Sequence, residues 1–156
     1  MRTEIKIIDY RPEHRILFKE MNQRWIEKYF KMEASDHKAL DDPEQSVLKP
    51  GGAILVAYFG EEVAGICALV KLVNRPYDYE LSKMAVDPNF QGKGVGFALA
   101  KAIEERAKLL GGKTLYIESN TVLGPAMRLY QKRGFVEIEG EGSPYERCNI
   151  YFVKEI

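Results

Sequence analysis

A single α/β domain with a mixed sheet is the fold class this sequence predicts, on three observations. Apolar residues alternate with period two in several short runs, among them Tyr77 to Val86 and Thr114 to Glu118. Other segments carry apolar residues at helical spacing, beginning with Phe18, Met21, Trp25 and Tyr29. The third is a glycine-rich turn, Gln91-Gly92-Lys93-Gly94-Val95-Gly96, which joins one strand-like run directly to an amphipathic helix from Phe97 to Leu110. Strand, helix and strand in that order imply a crossover between parallel neighbours.

In chain order, Glu4 to Tyr10 reads as a first strand, and Pro12 suits the opening turn of a helix that runs to about Phe30. A second short helix is expected from near Asp36 or Asp42-Pro43, stopped by Pro50-Gly51-Gly52. Ala53 to Phe59 and Val63 to Val73 form a hairpin across Gly60-Glu61-Glu62. In Tyr77 to Val86 the alternation changes phase: Tyr77, Tyr79 and Leu81 fall on odd positions, Met84 and Val86 on even ones. One extra residue produces such a shift, so a β-bulge is expected; sheet curvature alone is the other reading. Beyond the glycine turn, Leu99, Ile103, Arg106 and Leu110 share a helix face, and Gly111-Gly112 ends it. Thr114 to Glu118 is the parallel partner strand, Val122 to Lys132 a helix stopped by Gly134. Phe135 to Glu139 and Asn149 to Lys154 make a closing strand pair.

The 156 residues suit one domain, 1–156, with a sizeable core. Lys+Arg 23 equals Asp+Glu 23, so no net basic charge draws the chain to nucleic acid or to an anionic membrane. Cys67 and Cys148 lie far apart, which suggests neither a disulfide framework nor a zinc site. The longest apolar run, Ala53 to Phe59, is too short to span a bilayer and no apolar leader opens the chain. The expectation is a cytoplasmic protein that holds no metal. His14 and His37 have no partners at ligand spacing and are expected at the surface.

The glycine turn is the most specific local signal. Glycines allow close backbone approach, and the first helical N–H groups, with the helix macrodipole behind them, attract an anion. Strand, glycine turn and helix N-terminus therefore make a phosphate or pyrophosphate site, with Lys93 in reach; a turn made only for packing is the alternative. It is not a nucleotide P-loop, because Gly94 follows Gly92-Lys93 where a Ser or Thr would hold magnesium.

With Gln91, Gly94 and Gly96 matching the pattern Q/R-x-x-G-x-G/A, and Ala126, Tyr130, Gly134 and Phe135 matching A-x-x-x-Y-x-x-x-G-F, the chain resembles the GNAT superfamily of N-acetyltransferases. The order of elements matches that fold along the whole length. The resemblance implies a mixed, mostly antiparallel sheet, splayed between its fourth and fifth strands, with helices on both faces. It implies acetyl-CoA as cofactor, with the pyrophosphate on Gln91, Gly92, Lys93, Gly94, Val95 and Gly96 and the pantetheine arm against Met84, Ala85 and Val86. A bulge N–H aimed at the thioester carbonyl would contribute about 3 kcal/mol. Tyr130 falls on the family's general acid, which protonates the departing thiolate; it could also simply pack beside Phe135. Many members carry an Asn seven residues before that Tyr. Here Leu123 stands there, and the nearest candidate for a cofactor contact is Asn120.

Deprotonating a side-chain-type amine at neutrality costs about 4.6 kcal/mol, so such an acceptor needs a base. Glu80 is the first candidate and Glu118 the second; either could instead pair with a cation or face solvent. Trp25, Tyr29, Phe30, Glu33, Asp36 and Asp41 give the first helices an aromatic and acidic character that suits a cationic amine, although core packing and helix caps would use the same residues. Tyr145 and Arg147 could face the acceptor from the last hairpin. The reading is direct acetyl transfer to a small-molecule or peptide amine in a ternary complex, with Cys67 no acyl carrier. The alternative is an acyl-CoA-binding sensor or partner module without turnover. The acceptor and a homodimer through the last strands stay open.

Overall fold

In the computed structural model, which describes residues 4–156, the strands form one seven-stranded sheet. They are β1 (Ile5–Asp9), β2 (Ala53–Phe59), β3 (Glu62–Lys71), β4 (Tyr79–Val86), β5 (Thr114–Ser119), β6 (Val136–Ile138) and β7 (Ile150–Glu155). Their spatial order is β1-β2-β3-β4-β5-β7-β6. Only β4 and β5 run parallel among these neighbours. The helices are α1 (Arg15–Tyr29), α2 (Ala34–Leu40), α3 (Val95–Leu109) and α4 (Gly124–Lys132). Where one helix was expected between Lys31 and Pro50 there are two elements, α2 and a single π-helical turn, Glu44–Leu48.

The bulge predicted from the phase shift is present. Ile66 pairs with Ala85 and Ala68 with Ser82, so Lys83 and Met84 together oppose the single residue Cys67. Lys83 takes a left-handed φ of 52° to make the step. Before it, Tyr79 and Leu81 belong to the core under α3; after it, Met84 and Val86 pack against that same core, while Ala85 joins the core under α1. The sheet opens here. β4 and β5 share only the pairs Tyr79–Leu115 and Glu80–Tyr116, so beyond them the two facing edges have no ladder.

Two cores follow from the two faces. On one, Leu99, Ala100, Ile103 and Ala107 of α3 meet Leu55, Leu69 and Leu115; on the other, Phe18, Met21 and Ile26 of α1 meet Val56, Ile66 and Ala68. Arg106 and Leu110 fall short of the buried α3 face the spacing assigned them. Arg106 reaches out to Asp9 at 2.6 Å, and Leu110 lies at the helix end, half exposed. Glu104 of α3, buried, accepts from Arg133 at 2.8 and 2.9 Å and from Lys154 at 2.6 Å, which ties α3 to the end of α4 and to β7.

His14 is not at the surface, as expected from the sequence, but 2% exposed. Its Nδ1 accepts from the Arg11 amide at 2.9 Å, and its Nε2 donates to the Tyr58 hydroxyl at 2.8 Å. Burial holds its pKa below the ordinary 6.5. The unfolded chain therefore takes up a proton first, and stability present above 6.5 is lost as pH falls toward the folded value. As pH drops from 7.5 to about 5, the Tm of the parent should fall relative to that of His14→Gln; parallel curves would refute the assignment.

Candidate active site

The glycine turn forms as the sequence predicts. Asp87 caps the short turn after β4 by accepting from the Asn89 amide at 2.9 Å, and Gly92 and Gly94 adopt φ of 78° and 84°. A Cβ at either glycine would meet nothing within 4 Å, so the demand for glycine is torsional rather than steric. Gly94 is the N-cap of α3, which leaves the amides of Val95, Gly96 and Phe97 without intrahelical acceptors. The Lys93 ammonium sits 5.6 Å over the Phe59 ring, drawn there as a cation to a π face.

A cavity of about 620 Å³ begins at these amides and runs through the opening between β4 and β5. Gln91, Gly92, Gly94, Val95 and Gly96 border one end, and Met84, Ala85 and Val86 line its passage along β4. Tyr130, on α4, borders it from the α3 side. Its ring lies 6.0 Å from Phe135 and 5.5 Å from Phe152, so it both packs in the core and lines the cavity. Burial pushes its hydroxyl pKa up, against a hydrogen bond with Ser119, and keeps the proton on the oxygen. Asn120 also borders the cavity, but its carboxamide is engaged at both ends. It donates to the Arg147 carbonyl at 2.6 Å and accepts from the Val122 amide at 2.8 Å. Asn120 therefore anchors the loop around Arg147 with one of its two N–H donors and its oxygen, and keeps its second N–H uncommitted.

Glu80 and Glu118 project from β4 and β5 to the face opposite Leu81 and Ile117, and both line the cavity. Glu118 accepts from the Tyr116 hydroxyl at 2.8 Å and from Ser143 at 2.6 Å. Among the described residues no side-chain or backbone donor lies within hydrogen-bond distance of the Glu80 carboxylate. Burial, and then the Glu118 charge, push its pKa up to about 8; Lys83 and Arg75 oppose this only in part.

Of the residues expected around the acceptor, Trp25, Tyr29, Tyr145 and Arg147 line this cavity. Glu33 does not. Its carboxylate receives the Glu146 amide at 2.9 Å and Arg147 at 3.2 Å and caps α2 in a box with Asp36, so it braces the wall from behind. The centre of that wall is Asp36, buried at the start of α2. Arg147 donates to it at 2.7 and 2.6 Å, Lys83 at 2.7 Å and the Glu33 amide at 2.9 Å. Burial works against ionisation of Asp36, yet the bonds from Arg147 and Lys83 outweigh it and hold the carboxyl at about 2. Burial likewise draws the Lys83 pKa down, against Asp36. Lys83 is the site residue that sequence reasoning missed. Its signal was a charge at the phase shift, where a buried ammonium demands a partner. Cys67, opposite the bulge, is fully buried and its thiol pKa is pushed up by that burial.

A sheet opened between two parallel strands, with helix N-terminal amides at one end of the opening, is the architecture of an acyl-CoA-type N-acyltransferase. The Acetyltransferase (GNAT) family model matches residues 18–135, and the chain belongs to that family. Among curated proteins it is 35% identical over 101 residues to the uncharacterised N-acetyltransferase YjgM of Escherichia coli (strain K12). That match covers 64% of this chain and 60% of YjgM, so the chain spans less than two thirds of that relative's length. The crystal structure of a GNAT-family acetyltransferase from Staphylococcus aureus Mu50 superposes with a TM-score of 0.85 at 21% identity, over 97% of this chain and 99% of that one. The structure of yncA from Salmonella typhimurium, with its cofactor acetyl-CoA, gives 0.76 at 17% identity, over 97% and 93%. Among the described residues no helix is long and apolar enough to cross a membrane.

Proposed function

We propose that residues 1–156 act as one acetyl-CoA-dependent N-acetyltransferase domain that moves the acetyl group directly to a primary amine within a ternary complex. One observation carries this reading: a continuous cavity links the free first-turn amides of α3 to both Tyr130 and the unpaired Glu80. The residues present fit the cofactor. The amides at 95–97 suit a pyrophosphate, and the unladdered edges of β4 and β5 offer backbone groups to a pantetheine arm. The acetyl-CoA bound in yncA supports the same choice.

Acetyl-CoA would supply the acetyl group as a thioester. Glu80, with a pKa raised to about 8, takes the proton from the acceptor ammonium. Glu118 suits that role less, since both its oxygens already accept hydroxyl protons. Tyr130 keeps its own proton and can give it to the departing sulfur, whose unperturbed pKa of about 8.5 makes it a modest base. Cys67 is sealed in the core with its thiol protonated, which favours direct transfer over an acyl-enzyme.

Calorimetric titration with acetyl-CoA, followed by thiol release across a panel of amines, tests the reading. Binding followed by release is expected; binding with no release under any amine would leave a module that binds acyl-CoA without turning it over. Tyr130→Phe should keep acetyl-CoA affinity and lose about tenfold or more in kcat. Cys67→Ser should transfer normally, and a variant that binds but cannot transfer would point to a thiol intermediate.

A further inference from the structure

Resting on that transferase reading, we propose that the acceptor is a small cationic amine with no carboxylate beside its reacting nitrogen, and that free amino acids are rejected.

Two cations face the acceptor half of the cavity, and both are already engaged. Lys83 holds Asp36 at 2.7 Å and the Tyr145 hydroxyl at 3.0 Å; Arg147 holds Asp36 twice and Glu33 once. Arg147 is also stacked 4.6 Å over the Tyr145 ring. The positive charges of Lys83 and Arg147 are thus matched by Asp36 and Glu33. A substrate carboxylate would have to draw one of them away from a fully buried aspartate that accepts four hydrogen bonds.

What remains unmatched is acidic. Glu118, and Glu80 once it has given up its proton, have no cation at ion-pair distance among the described residues, and Arg75 lies 5.2 Å over the Tyr116 ring. Glu118, joined by Glu80 when it ionises, therefore attracts an ammonium and repels a carboxylate presented next to it. Trp25 and Tyr29 of α1 add aromatic faces for the body of the amine.

The same contacts limit size. The segment from Tyr145 to Arg147 is strapped to α2 and its cap: the Glu146 amide to Glu33 at 2.9 Å, the Tyr145 hydroxyl to the Ser35 carbonyl at 3.4 Å, and Arg147 to Asp36. A strap pinned at that many points crosses the acceptor side and admits a small molecule more readily than a polypeptide.

Matched pairs that differ only in the carboxylate test this: tyramine against tyrosine, and phenethylamine against phenylalanine. Each would be titrated calorimetrically into the protein with and without CoA, then used as acceptor for thiol release from acetyl-CoA. The decarboxylated member should bind and react at least about tenfold better. Glu118→Gln, which keeps an oxygen for its hydroxyl donors, should shrink that ratio. Equal or better use of tyrosine or phenylalanine, binding of none of the four, or faster acetylation of lysine peptides than of any small amine would overturn the proposal. Failure of the transferase reading shows separately, as preferential amine binding with no thiol release.

Discussion

Replacing Glu80 with glutamine is expected to lower kcat about 10²–10⁴-fold while making the folded protein more stable at alkaline pH. Both effects come from one fact: the fold resists the charged form of this side chain. Glu80 has a folded pKa of about 8 against an ordinary 4.5. Between those values the folded state binds more protons than the unfolded one, so stability falls as pH rises through that window. Glutamine cannot ionise and escapes that loss. With water entering the cavity, the gain at pH 8 should be about 2 kcal/mol, or about 5 °C in Tm. Activity moves the other way. The parent's rate, measured with an amine whose own pKa lies near 10.4, should climb with pH and level off above about 8. In Glu80→Gln that limb should vanish. A variant that keeps both its rate and the limb would move the base to Glu118 or to water.

The parts of this site that are local in sequence were legible, and the parts that depend on distant partners were not. The bulge showed itself because one extra residue shifts every later side chain to the other face, a change visible within Tyr79 to Val86. The glycine turn was legible because left-handed torsions at Gly92 and Gly94 restrict residue choice whatever surrounds them. The acceptor wall is different. Lys83 lies 47 residues from Asp36, and Arg147 lies 111 from it, so no period or spacing announces the cluster. The acidic, aromatic character of α1 and α2 was visible, but not that Glu33 would be consumed as a brace. His14 was misplaced for the same reason, since its partner Tyr58 arrives 44 residues later. The structural bond of Asn120 to the Arg147 carbonyl was hidden likewise, since that partner lies 27 residues on.

Asp36→Ala should be the most damaging single substitution in the wall, destabilising the protein by about 3–5 kcal/mol and lowering Tm by about 10 °C. Its side chain is fully buried, and removing it leaves Lys83, whose side chain is 4% exposed, without its counter-ion and Arg147, 11% exposed, with Glu33 alone. The penalty is the desolvation of a buried ammonium left uncompensated beside a guanidinium, and not merely the loss of a contact. Asp36→Asn keeps the shape but not the charge, so it should fall between parent and Ala. The pH dependence carries the opposite sign to that of Glu80. A folded pKa of about 2, against 3.8, means this stability is present above 3.8 and lost as pH falls through 2. Adding Lys83→Met to Asp36→Ala removes one stranded ammonium from the bulge, so the double variant should recover part of the lost Tm. Should the two losses simply add, Lys83 and Asp36 would not be coupled. The bulge would then owe its left-handed residue to backbone geometry alone, and the neutrality on which acceptor choice depends would lose its physical basis.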